Sequence, residues 1–348
     1  MMAAAWPLHV VRRAWRSKSN KALTVALAML LTLGVFQRAD RRVAPPAAAG
    51  CWPSLSLGEV AYPWESPAPA GDSPGCGSVP QPPDCLRRTG HTAHLAIIGD
   101  SRGRQIYVNL VRDNPPLESV WQTPGESQEE DRQLEFAPEL APEAFCSVGM
   151  CSSNATNEHI SIRFLWQPFF DQHFLKALQT FVDECQQPRG TCPDMVLVNG
   201  GFWYSGRVPG MDKIAQHEQL TMLRQGVLRA APALARLARR TLTLWKLEEA
   251  MLFEFVPDKY RLRLSKVEYM ELLLVQQALI YELTLQVPEL VIWSSLLPEV
   301  TRHMFHVCAR RADRDNCPDP VHMGRSLQSG FSDTLMAVLC RRATAPRR

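Results

Sequence analysis

Three short stretches of this sequence hold side chains suited to covalent chemistry. In Gly99-Asp100-Ser101 a serine leaves a short apolar run, Leu95–Ile98, and enters the first turn of an expected helix. A hydroxyl at that point sits among backbone N–H groups that have no intrahelical acceptor, and such groups stabilise a developing oxyanion. Gly99 permits a tight turn, and the Asp100 side chain can order it. Near the other end, Asp319-Pro320-Val321-His322 follows Cys317-Pro318, and two prolines so close together predict a rigid loop. There an aspartate three residues before a histidine can hold the imidazole and leave its other nitrogen free to take a serine proton. Asn199 ends a third apolar run and precedes Gly200-Gly201-Phe202-Trp203, where its side-chain amide is a candidate second oxyanion donor. Each stretch alone also reads as an ordinary turn. His303 and His306 are rival bases without a neighbouring acid.

These residues need a scaffold, and the hydrophobic pattern supplies one. Short apolar strands are expected at Leu95–Ile98, Ile160–Leu165, Met195–Val198, Thr241–Leu247 and Leu290–Trp293. Helices are expected at Arg104–Arg112, Phe174–Asp183, about 212–240, 265–286 and 324–340. Residues 113–143 are acidic, carry prolines and read as a long surface loop. Strands that alternate with helices imply a mostly parallel sheet covered on both faces. Sites in such sheets lie beyond the carboxyl ends of the strands, which is where Ser101 and Asn199 fall.

The charge distribution places the rest. The net charge of the 348-residue chain is +3, but residues 1–42 carry eight Lys/Arg against one Asp, leaving 30 bases and 34 acids for the remainder. A mildly acidic body lacks the basic footprint of a nucleic-acid binder. Residues 1–21 read as a cytosolic tail, 22–37 as an uncleaved signal-anchor helix flanked by Lys21 and Arg38, with the h-region of a cleaved signal peptide as the alternative, and 38–90 as a proline-rich stem partly packed on the domain at 91–343. A span this short suits an early secretory membrane, so the expectation is a single-pass type II protein of the Golgi or endoplasmic reticulum, with its domain in the lumen. Ten cysteines fit that oxidising compartment, with Cys146–Cys151 and Cys185–Cys192 as candidates to close small loops. Asn154-Ala155-Thr156 is an N-glycosylation sequon. No CxxC pair occurs and the histidines are scattered, so no metal is expected.

The order Gly99-Asp100-Ser101, Asn199, then Asp319 and His322 resembles the SGNH superfamily of serine esterases and acetyltransferases. Within it the chain is most similar to the luminal catalytic domains of the sialic-acid O-acetyltransferase and fungal capsule-synthesis family. The resemblance lies in Gly99-Asp100-Ser101-Arg102-Gly103-Arg104-Gln105, Phe164-Leu165-Trp166-Gln167-Pro168 and Val321–Cys340, and it spans roughly 51–342. The block Asn199-Gly200-Gly201-Phe202-Trp203 is similar to one in plant polysaccharide O-acetyltransferases. Gly149 is the candidate for the superfamily's second-block glycine.

The resemblance implies a three-layer α/β/α domain with a triad of Ser101 as nucleophile, His322 as base and Asp319 as its orienting acid. The Ser101 amide and the Asn199 side chain would hold the oxyanion. It implies acetyl ester chemistry on glycans or glycoconjugates, as an O-acetyltransferase or else an O-acetyl esterase. A catalytically silent glycan- or partner-binding protein is the non-enzymatic alternative. No bound cofactor is expected; an acetyl donor such as acetyl-CoA would be a co-substrate. The sialic-acid enzyme continues into a multi-pass membrane region with no counterpart in this sequence, so acetyl supply across the membrane is expected from a separate membrane protein. Arg102 and Arg104 are candidates to bind an anionic sugar or donor phosphates, or else, at a helix start, to pair with nearby acids.

Overall fold

The computed structural model describes residues 86–87, 92–114, 117, 119–121, 151–187, 192–205, 214–249, 251, 266–294, 296–304 and 322–344. The chain divides into two units, Met1–Ala48 and Ala49–Arg348, and all described residues belong to the second. The expected tail and anchor, nearly all of the stem, Gly149, His306 and Asp319 lie outside the described residues. Among the described residues no helix is long and apolar enough to cross a membrane.

Among the described residues, seven strands form one sheet. They are β1 (Ala93–Gly99), β2 (Ser119–Trp121), β3 (Ser153–Thr156), β4 (Ile160–Trp166), β5 (Met195–Val198), β6 (Leu242–Lys246) and β7 (Val291–Trp293), in the order β2-β3-β4-β1-β5-β6-β7. The five strands β4, β1, β5, β6 and β7 run parallel, and β2 and β3 extend the β4 side antiparallel. The expected strands and the mostly parallel sheet are therefore present. Part of the expected 113–143 loop is instead the edge strand β2, and the sequon residue Asn154 lies half-buried in β3, aligned with Arg163 of β4.

The helices are α1 (Ser101–Asp113), α2 (Gln172–Glu184), α3 (Gln216–Ala238), α4 (Lys266–Gln286), α5 (Leu296–Arg302) and α6 (Arg325–Thr344). Because side chains alternate across a strand, one face of the sheet presents Leu95, Ile97, Ile162, Phe164, Leu197 and Leu244. These pack with Ile106, Tyr107 and Leu110 of α1, with Leu335, Met336 and Leu339 of α6, and with Leu296 and Val300 of α5. Trp245 on the other face meets Phe170, whose ring also meets Phe174 of α2. Helix α3 packs between α2 and α4 on that side. The result is three layers, α/β/α.

The described cysteines are all in disulfides: Cys185–Cys192 closes the short connection between α2 and β5 as expected, and Cys151 and Cys340 are also disulfide-bonded.

Helix α3 can approach the connection between β4 and α2 closely only because Gly226 has no side chain. A Cβ there would fall 2.1 Å from the Phe170 carbonyl oxygen. Helix propensity alone favours alanine over glycine by about 1 kcal/mol. Overpacking opposes it and costs about 1–3 kcal/mol. Gly226→Ala is therefore expected to lower stability in urea denaturation; a rise in the midpoint would show that α3 has room to move.

Candidate active site

Gly99 ends β1, the middle strand of the sheet. Its carbonyl accepts from Gln167 N beyond β4, and Asn199 N beyond β5 donates to the Ile98 carbonyl. The chain then turns at once into α1. Asp100 caps that helix, its Oδ1 accepting from Arg102 N at 2.9 Å. Gly99 proves necessary for room, since a Cβ would lie 2.4 Å from the Asn199 carbonyl oxygen; its backbone is not among the left-handed glycines, Gly200 and Gly201.

Ser101 is the first residue of α1 and is partly exposed. Its Oγ lies 2.8 Å from Nε2 of His322, a residue 221 positions away. His322 stands just before α6, and the packing of α6 along α1 holds it there. Gln328 Nε2 donates to Gln105 Oε1 at 2.8 Å, and Ser329 Oγ donates to Asp113 Oδ2 at 3.0 Å. The two residues expected to form a nucleophile–base pair are thus brought into hydrogen-bond contact, with the hydroxyl at a helix N-terminus. Of the rival bases, His303 is the one described, at the end of α5.

Asn199 lies beside this turn but is fully buried, and its Nδ2 donates to Glu248 Oε1 at 2.9 Å. One of its two amide hydrogens is therefore committed, and only the second remains for an oxyanion. Of the two readings of Arg102, the structure shows pairing with acids and not a ligand-facing side chain. Arg102 is 1% exposed, and its Nη1 donates to Glu248 Oε2 at 2.6 Å and to the Glu249 carbonyl at 2.7 Å. Its guanidinium also stacks 4.6 Å from the centre of the Phe202 ring. Arg104, next along the helix, is only partly buried, and that burial lowers its pKa against the pull of Asp100.

Behind Ser101 lies a buried charge cluster that the sequence did not announce. It comprises Asp100, Arg102, Lys246, Glu248 and Glu249, with Lys246 Nζ donating to Glu249 Oε2. Tyr269 of α4 donates its hydroxyl to the Glu249 carbonyl at 3.3 Å. Burial raises the pKa of Asp100 against the attraction of Arg102 and Lys246. Burial, together with the charge of Asp100, pushes Glu248 up to about 7. Glu249 is also buried, but Lys246 and Arg102 prevail and hold it below its ordinary value. The one hint in the sequence is that Lys246 ends an apolar strand and Glu248-Glu249 follow it, at the end where sites form. Among the described residues no group of His, Cys, Asp or Glu could hold a metal ion.

No family model and no curated protein matches the chain. Among solved structures, a peptidoglycan O-acetylesterase is 12% identical, with a TM-score of 0.40, covering 75% of this chain and 95% of its own. A protein described as a GDSL-like lipase, from Parabacteroides merdae ATCC 43184, is 11% identical, with a TM-score of 0.36, covering 73% and 96% respectively. At those scores neither likeness says what this chain acts on.

Two measurements follow from the charge cluster. Arg102→Met strands Glu248 in the interior and is expected to cost about 3–5 kcal/mol of stability. Arg224→Met, which breaks an exposed pair with Glu282, should cost less than about 1 kcal/mol. Equal losses in urea denaturation would refute the buried pairing. The pH dependence has a definite sign. A carboxyl whose folded pKa is raised binds protons more readily in the native state, so its contribution to stability falls as pH rises from the ordinary carboxylate range to about 7. Glu248→Gln lacks that contribution, so wild type should gain stability relative to this variant as pH is lowered from 7.5 to 5; a constant difference would place Glu248 outside the titrating set.

Proposed function

We propose that this chain is an acyl-transferring enzyme of the SGNH type, with Ser101 as nucleophile, and that acetyl esters of glycans are its chemistry. The observation that carries this reading is the 2.8 Å contact between Ser101 Oγ and His322 Nε2 at the N-terminus of α1. In the first step Nε2 takes the hydroxyl proton as Oγ attacks the acyl carbonyl. The charge that develops on the carbonyl oxygen meets the Ser101 backbone N–H and the remaining N–H of Asn199. Collapse expels the donor's leaving group, which receives the proton from His322, and leaves an acyl-serine ester. In the second step His322 takes a proton from the incoming hydroxyl, that oxygen attacks the ester, and Ser101 Oγ recovers the proton as it leaves. A sugar hydroxyl as acceptor makes an O-acetyltransferase, and water makes an esterase.

Asp319 would accept from Nδ1 of His322 and stabilise the imidazolium, a role that rests on its spacing three residues before His322. The anchor at 22–37, the sequon at Asn154 and the disulfides support a lumenal domain of the Golgi or endoplasmic reticulum. The acetyl donor is a co-substrate such as acetyl-CoA, and a separate membrane protein would supply it across the bilayer.

The full chain and its Ser101→Ala variant, incubated with an acetyl ester with and without sialylated or polysaccharide acceptors, test the reading. Wild type is expected to move acetyl onto the sugar, detected as an added acetyl mass, and Ser101→Ala to lose at least about 1000-fold in rate. Serine-dependent acetate release without sugar modification would select the esterase. Equal behaviour of the two chains on every ester would leave the binding-protein reading.

A further inference from the structure

We propose that Glu248 is a positioning residue for the Ser101 site, orienting the Asn199 amide with one carboxylate oxygen and anchoring the first turn of α1 through Arg102 with the other. This rests on the reading of Ser101 as nucleophile and adds to it a residue outside the expected triad and oxyanion donors. Ser101 is partly exposed, yet its sequence neighbours Asp100 and Arg102 are 0% and 1% exposed and face the charge cluster. The nucleophile is therefore held from both sides by groups fixed in the interior. Glu248 links those groups to the neighbouring strand. Its Oε2 accepts from Arg102 Nη1 at 2.6 Å and its Oε1 from Asn199 Nδ2 at 2.9 Å.

The Asn199 side chain depends on that bond for its orientation. Its Oδ1 is buried and has no hydrogen-bond partner, so nothing at the oxygen end decides which way the amide faces. Glu248 decides it, because a carboxylate accepts and does not donate. Since an amide NH₂ is planar, fixing one N–H fixes the direction of the other, the one left for an oxyanion. Both bonds require the unprotonated carboxylate. The groups facing Glu248 are Asp100 and Arg102 at the start of α1, Lys246 and Glu249 at the end of β6, and Tyr269 and Gln277 of α4, of which Gln277 donates to the Glu248 main-chain carbonyl. Three carboxylates face two cations here; Glu248 shares Arg102 with Glu249, and its two hydrogen bonds favour the acceptor form against the burial and the Asp100 charge that raise its pKa.

Glu248→Gln keeps the shape but can satisfy only one of the two donors without turning its own N–H₂ against the other. With the full chain, kcat, KM and the pH profile of kcat/KM would be measured for wild type, Glu248→Gln, Glu248→Asp and Ser101→Ala, alongside thermal melts. The expected result is a folded Gln variant with kcat about 100-fold lower, KM little changed and an acid limb shallower by one proton, with Glu248→Asp recovering part of kcat. A Gln variant that melts lower but keeps wild-type kcat and the wild-type acid limb would make Glu248 purely structural and overturn the proposal while leaving Ser101 as nucleophile. Ser101→Ala matching wild type on every ester would remove both.

Discussion

Two strand ends, those of β1 and β6, are tied together by ion pairs that no water reaches. Arg102 bridges Glu248 and the main chain of Glu249, and Lys246 answers Glu249 from the end of its own strand. Charges removed from water cost several kcal/mol each unless their partners are well placed, and losing one partner leaves the other stranded. The arrangement is consequently intolerant. The first turn of α1, the end of β5 and the end of β6 must keep one mutual geometry for every member to stay satisfied. That requirement defines the floor on which Ser101 stands, and an apolar core of the same volume would not impose it.

The sheet supplies the complementary half of the site. Its parallel strands bring their carboxyl ends to one edge, so Ser101, Asn199 and the charge cluster share that edge without being near in sequence. His322 arrives differently. It is carried by α6, whose apolar side packs against α1 on the same face of the sheet, so the hydrogen bond to Ser101 is a by-product of helix packing. Two independent mechanisms, strand register and helix docking, meet at one serine hydroxyl.

Much of this was legible from residue types. The parallel strands announced themselves as short, continuous apolar runs, and β5 begins and ends at Met195 and Val198 as the pattern indicates. Ser101 and His322 could be paired because each falls just outside an element that hydrophobic periodicity locates well. The antiparallel strands β2 and β3 were missed, because Ser153-Asn154-Ala155-Thr156 pairs through its backbone and offers little apolar alternation to read. That Arg102 could pair with acids was legible, but its partner was not. An arginine in the first turn of a helix is ordinarily solvated, and what buries this one lies 146 residues further on in Glu248, through a contact no local pattern encodes. The same distance hid the partner of Asn199, whose position at a strand end was apparent but whose amide was already engaged.

The separation of 221 positions between Ser101 and His322 has a meaning for the order in which the molecule is made. A chain growing from its N-terminus completes β1 and the turn into α1 long before α6 has been synthesised, and domains mature as their later elements dock. Throughout that interval Ser101 lacks the imidazole of His322. On the reading proposed above, the nascent polypeptide is without its acyl-transfer chemistry along most of its biogenesis and acquires it in a single late event, when α6 settles against α1.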